Sequence, residues 1–174
     1  EAVLDFLRGY LKRRGLPVKV MPVDEVFAVL RAPADRTVLG LRLGADALAQ
    51  AWARCAFNMA IVNCDDHTKN FGFLMDRSGQ WRLAPAYDTC FAHNPAAGKW
   101  TRWHQMLVGG KKWDIGADDL LALAKAYDIR HAHERLQQIR EALARWPEFA
   151  ATAGVGEAET LRIAALQPAW AKQR

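Results

Sequence analysis

The chain has 174 residues, 51% of them apolar, and a formal net charge of +5, enough for one ordinary domain with a buried core. No run of about eighteen uncharged apolar residues occurs, and the opening stretch EAVLDFLRGYLKRRG is charged throughout, which excludes a readable membrane span or secretory signal and makes the cytoplasm the expected compartment. Cys55, Cys64 and Cys90 are odd in number and form no CxxC pair, so neither a disulfide framework nor a structural zinc site is expected, and the thiols are read as reduced.

Residues 2–14 place Val3, Phe6, Leu7, Tyr10 and Leu11 at helical spacing, and Gly15 and Pro17 end that helix. The basic run that closes it, Lys12 to Arg14, reads as a solvated face, as does Lys111 to Lys112. From Val18 to Leu43 the pattern is β-branched and irregular, broken by the turn-like APADR; short strands and a strand followed by a helix both fit. From Ala45 to Val62 the spacing recovers, with Leu48, Trp52, Cys55, Met59 and Val62 on one stripe among alanines, predicting one long buried helix. It runs straight into NCDDHTKN without a glycine or proline to turn it.

In FGFLMDRSGQWRLAPAYD two short apolar runs flank Asp76-Arg77-Ser78-Gly79, the composition of a hairpin turn. A second hairpin is expected at HQMLVGGKKWDI, with Gly109 and Gly110 supplying positive φ. The rest reads as helical. Asp118 and Asp119 sit near the start of a helix lined by Leu120, Leu123 and Tyr127. Leu136, Ile139, Leu143 and Trp146 mark another that Pro147 stops, and a last helix surrounds Leu161 to Leu166. The expected class is mainly α with one or two short β-hairpins, divided into a segment of uncertain structure over residues 1–44 and a helical lobe over residues 45–174.

Phosphoryl transfer from ATP needs a carboxylate to accept the hydroxyl proton, an amide oxygen for Mg²⁺ and a second carboxylate for Mg²⁺. In protein kinases the first two come from one loop, the Asn five residues after the Asp. Asp65 and Asn70 have that spacing; Asp66 competes for the role of base, but spacing selects Asp65. Asp88 closes the first hairpin, which is expected to bring it back beside Asn70. By residue type, Lys69 suits neutralising phosphate charge and His67 suits holding the loop by hydrogen bonding.

The segment NCDDHTKNFGFL followed by WRLAPAYD resembles the active-site segment of the HipA-like kinases, the toxin family of type II toxin–antitoxin modules. It combines a D-x-H-x-K-N loop, an aromatic-rich strand and an L-x-P-x-Y-D ending, and a looser similarity runs through MLVGGKKWDIGADDLLALA to the C-terminal helices, covering residues 45–145. The resemblance implies a helical C-terminal kinase lobe in which Asp65 is the catalytic base, Asn70 the metal-binding amide and Asp88 the metal-binding acid corresponding to the kinase DFG aspartate. It implies ATP and Mg²⁺ as cofactors, a protein serine or threonine as substrate, and a small DNA-binding antitoxin (HipB-like) as partner, with no direct nucleic-acid contact by this chain and no membrane.

The sequence also departs from the family: neither G-x-G-x-x-G nor G-x-x-x-x-G-K-[ST] occurs, so the phosphate-covering loop and the ATP-binding lysine of an N-terminal lobe are not found. Either a separate polypeptide supplies that lobe or the chain is a truncated product, and a start at Glu1 without an initiator Met leans toward the latter. The alternative function is a non-catalytic interaction module that keeps the lobe's fold and binds an antitoxin-type partner. Blander readings exist for each feature: a polar helix end with Asx turns for Asp65, Asp66, His67 and Asn70, and a transition-metal site built on His67 with Asp65 or Asp88. KWTRWH fits a base-stacking platform or, as favoured here, a substrate-facing loop; His131 and His133 read as surface or capping groups, and Cys64 as packed rather than reactive.

Overall fold

The computed structural model describes residues 43–67, 70–96 and 101–172. The helix expected over residues 2–14, the undecided stretch as far as residue 42, and Lys69 lie outside the described residues. The expected long helix forms as α1, Gly44–Ala60. Of the expected stripe Trp52, Cys55 and Met59 are buried, joined by Ala49 and Ala56, while Leu48 is half-buried and Val62 is buried past the end of the helix. The hairpin also forms, β1 (Phe73–Met75) pairing antiparallel with β2 (Trp81–Leu83) in the register Phe73 to Leu83. Asp76 builds its turn, since one carboxylate oxygen accepts from Ser78 N at 2.8 Å, Ser78 Oγ at 2.6 Å and Gln80 N at 3.0 Å, while Gly79 takes a φ of +81°. At the base of the hairpin Ala84 N donates to Gly72 O at 2.8 Å. A β-carbon on Gly72 would come within 3.3 Å of both Ala84 Cβ and the Tyr87 ring, so a side chain there would require these neighbours to shift by a few tenths of an ångström.

The second hairpin is reduced to its turn. Val108 and Lys111 exchange two backbone hydrogen bonds of 3.1 and 3.0 Å across Gly109 (φ +58°) and Gly110 (φ +80°), the left-handed pair anticipated from sequence. No strands extend it: the N–H of Met106, which the next rung of a ladder would need, donates instead to the carboxylate of Asp66, and the one further cross-connection, His104 N to Lys112 O at 3.0 Å, is out of that register.

Five further helices follow: α2 (Ala117–Ala126), α3 (Ala132–Ala144), α4 (Trp146–Thr152), α5 (Glu157–Leu166) and α6 (Ala169–Lys172). Asp119 caps α2 by accepting from Gly116 N at 2.8 Å, and the buried Trp52 indole of α1 donates to Leu120 O at 3.0 Å. Leu136, Ile139 and Leu143 are buried along α3 as their spacing demands. Pro147, expected to stop a helix, opens one: α3 ends at Ala144, Arg145 caps both helices, and Pro147 sits in the first turn of α4, where its missing N–H costs nothing. Near the end of the chain the Trp170 indole donates to Ile115 O at 3.0 Å and Arg140 Nε donates to Trp170 O at 2.8 Å.

The described residues fall into two compact units, one drawn from residues 43–48 and 70–87, the other from residues 49–67, 88–96 and 101–172. The first holds the hairpin, and the second holds most of α1 and all the later helices. Among the described residues no helix is long and apolar enough to cross a membrane.

Candidate active site

The site in the larger unit begins where α1 ends. Val62 N donates to Met59 O at 3.3 Å and Asn63 N to Asn58 O at 2.9 Å, the paired bonds of a Schellman ending, and Val62 occupies its left-handed position with a φ of +58°. Glycine normally takes that place. A buried β-branched residue there is strained, and such strain concentrates where a backbone must be held in one shape. The turn sends residues 62–64 alongside residues 88–92. Ala92 N donates to Val62 O at 3.3 Å, Cys64 N donates to Ala92 O at 3.0 Å, and Asn63 and Ala92 form a parallel bridge. Asn63, itself buried, adds a side-chain tie, its amide N–H donating to Asp88 O at 3.1 Å and to Asn58 Oδ1 at 3.2 Å.

The two adjacent acids separate by burial. Asp66 has no exposed surface; its Oδ1 accepts from Gln105 N at 2.7 Å and Met106 N at 3.3 Å, and its Oδ2 faces His104 Nδ1 at 3.0 Å. Asp65 points outward with 46% of its side chain exposed, and His67 Nε2 stands 3.8 Å from its Oδ1, an ion-pair distance rather than a hydrogen bond. Asp88 is exposed as well, and its φ of +53° is one that aspartate tolerates. Both outward carboxylates act on one probe: the Cys90 thiol is held above its ordinary range first by partial desolvation, then by Asp88 and then by Asp65. Two ionisable oxygen groups therefore share one neighbourhood at the surface of this unit.

The family model for the HipA-like C-terminal domain matches residues 23–148, well over half of the chain. The chain belongs to the HipA-like C-terminal domain family. That membership gives it a kinase-related, toxin–antitoxin context. No curated protein matches the sequence closely enough to count as a relative.

Within this HipA-like domain, Asp65, His67 and Asp88 lie in the larger unit and Asn70 in the hairpin unit, two residues before Gly72. His67 Nδ1 is buried without a hydrogen-bond partner. Among the described residues no group of three or more His, Cys, Asp and Glu side chains is placed to hold a metal ion, so the transition-metal reading built on His67 lacks a third ligand of that kind.

Sequence reasoning missed Asn63, His104 and the true place of Asp66. Asn63 stands next to the motif and carries a signal only in hindsight, as an amide at the end of an apolar helix. His104 lies inside the aromatic stretch KWTRWH, whose composition does not single it out. In the HipA-like domain these rings engage one another: Trp113 stacks on His93 (5.2 Å, 24°) and on His104 (6.1 Å, 27°), Trp103 meets Trp113 edge-on at 5.6 Å, and the Arg102 guanidinium lies 4.9 Å from the Trp103 ring centre. Burial, reinforced by the charge of Asp66, pushes the Cys64 thiol up to about 12 and raises that of Cys55, which makes both packing groups rather than nucleophiles. Behind Val62 and His104 lies a cavity of about 170 Å³, also lined by Met59, Trp113, Ile115 and Leu166.

Proposed function

We propose that this HipA-like domain works as the C-terminal lobe of an ATP- and Mg²⁺-dependent kinase that phosphorylates a protein serine or threonine. The observation that carries the reading is the pairing of residues 62–64 with residues 88–92, tied by Asn63 to the carbonyl of Asp88, which sets the Asp65 loop beside the Asp88 turn. A binding surface alone has no chemical need for two outward carboxylates held by a strained, buried backbone. Hard oxygen donors of this kind suit magnesium better than a softer metal.

In this reading Asp65 accepts the proton of the attacking hydroxyl, a role that fits its exposure and its place beside His67. Asp88 and Asn70 supply the oxygens that would hold Mg²⁺, and Lys69 neutralises phosphate charge. The bound nucleotide and ion supply the transferable phosphoryl group and the neutralisation of its charge. The phosphate-covering loop and nucleotide lysine come from outside these 174 residues. The partner is a small DNA-binding antitoxin that contacts DNA itself.

The test is incubation with labelled ATP and Mg²⁺, with and without the polypeptide encoded just before Glu1, followed by scoring of label on protein hydroxyls. Transfer is expected with the complete nucleotide site and should fall by about a hundredfold or more in Asp65→Asn. Label transfer that persists in Asp65→Asn, or no transfer under any arrangement, overturns the proposal.

A further inference from the structure

The phosphoryl-transfer reading uses Asp65 and leaves its neighbour without a task. Asp66 is a fully buried carboxylate, and removing such a group from water is costly unless donors surround it. Three donors do. Gln105 N and Met106 N donate to one oxygen and His104 Nδ1 meets the other, so every donor comes from one short stretch 38 to 40 residues further along the chain. His104 is itself 5% exposed and stacked on Trp113, which fixes the ring that faces the carboxylate. The fastening also decides which acid is presented. With the side chain of residue 66 drawn inward, that of residue 65 faces solvent.

The fastened stretch leads somewhere useful. Immediately before His104 stand Arg102 and Trp103, both exposed, with the guanidinium over the indole. A loop that carries the base is thus tied to a surface bearing a cation and an aromatic ring, the kind of ground a peptide lies across.

We propose that Asp66 is a positioning residue, clamping the Asp65 loop to residues 104–106 so that the base and the peptide-facing surface at Arg102 and Trp103 keep one fixed spacing. The proposal rests on the phosphoryl-transfer reading. It separates from mere structural support by what it leaves alone: nucleotide binding belongs to other groups, so losing the clamp should act on turnover and not on affinity for ATP.

The experiment compares Asp66→Ala and Asp66→Asn with the unaltered chain, in whichever assembly transfers phosphate. Asp66→Ala should lower kcat about a hundredfold, the scale of an ångström-sized misplacement, with KM for ATP changed by less than about twofold. Asp66→Asn keeps an oxygen for Gln105 N and Met106 N and should recover to within about tenfold of the unaltered chain. Amide hydrogen exchange supplies a readout independent of activity: the Gln105 and Met106 amides should exchange at least about tenfold faster in Asp66→Ala and be unchanged in Asp65→Asn. If Asp66→Ala does not fold, His104→Ala removes one donor of three and should lower kcat about tenfold.

A folded Asp66→Ala that keeps its kcat, an Asp66→Asn as impaired as Asp66→Ala, or unchanged exchange at residues 105 and 106 overturns the clamp. An unaltered chain that transfers no phosphate in any assembly overturns the phosphoryl-transfer reading and the catalytic half of this proposal, while exchange still decides whether the clamp exists.

Discussion

Two carboxylates adjacent in sequence meet opposite fates: one is fully buried among donors from residues 104–106, and the other keeps about half of its side chain exposed beside His67. Spacing singled out Asp65, but nothing local announces the burial of Asp66, whose partners lie at residues 104–106. A different acid carries a testable charge effect. The Lys111 ammonium at 2.8 Å, and then the N–H of Gly116, hold the Asp119 carboxyl below its ordinary value of 3.8. The folded chain therefore binds this proton less readily than the unfolded one, so its stabilising contribution is complete above that value and is lost as pH falls through the lower folded value. The stability gap between the unaltered chain and Asp119→Asn, read from urea midpoints, should be full near about pH 5 and narrow below about pH 4. Like the hairpin's Asp76, this residue was legible in part from sequence: an acid in the first turn of a helix is a local signal, whereas the lysine that reaches it from the preceding turn is not.

At the scale of elements, what could be read was what is decided within a few residues. The stripe from Trp52 to Met59, the Asp76–Gly79 turn and the Gly109–Gly110 turn all follow from neighbours in sequence. The missing second hairpin, and Pro147 opening a helix rather than closing one, turn on partners or boundaries that no short window contains. The ending of α1 is the sharpest case, since its turn is made at a valine. Val62→Ala and Val62→Gly both remove the buried side chain, but only glycine escapes the left-handed penalty. The glycine variant should therefore be more stable than the alanine variant by about 1 kcal/mol, reversing the order found in a helix interior. Urea denaturation of the two variants measures the difference.

For the molecule as a whole, the larger unit depends on its last helices. Trp170 is buried, donates to Ile115 O and is held in turn by Arg140, while Arg162 lies over the Phe91 ring, 5.1 Å from its centre, three residues beyond Asp88. Trp170→Ala should cost about 3–5 kcal/mol in chemical denaturation, through the emptied volume and the carbonyl of Ile115 left without its donor. The family shares residues 23–148, and the residues that make these contacts from α5 and α6 fall after that span. Leu166 and Pro168 line the same cavity as Val62 and His104, so the rear wall of the candidate site is furnished by sequence that homology does not delimit. A chain trimmed to the matched residues would lose the backing of the Val62 turn, so a folded sample has to run past the span that the family model covers.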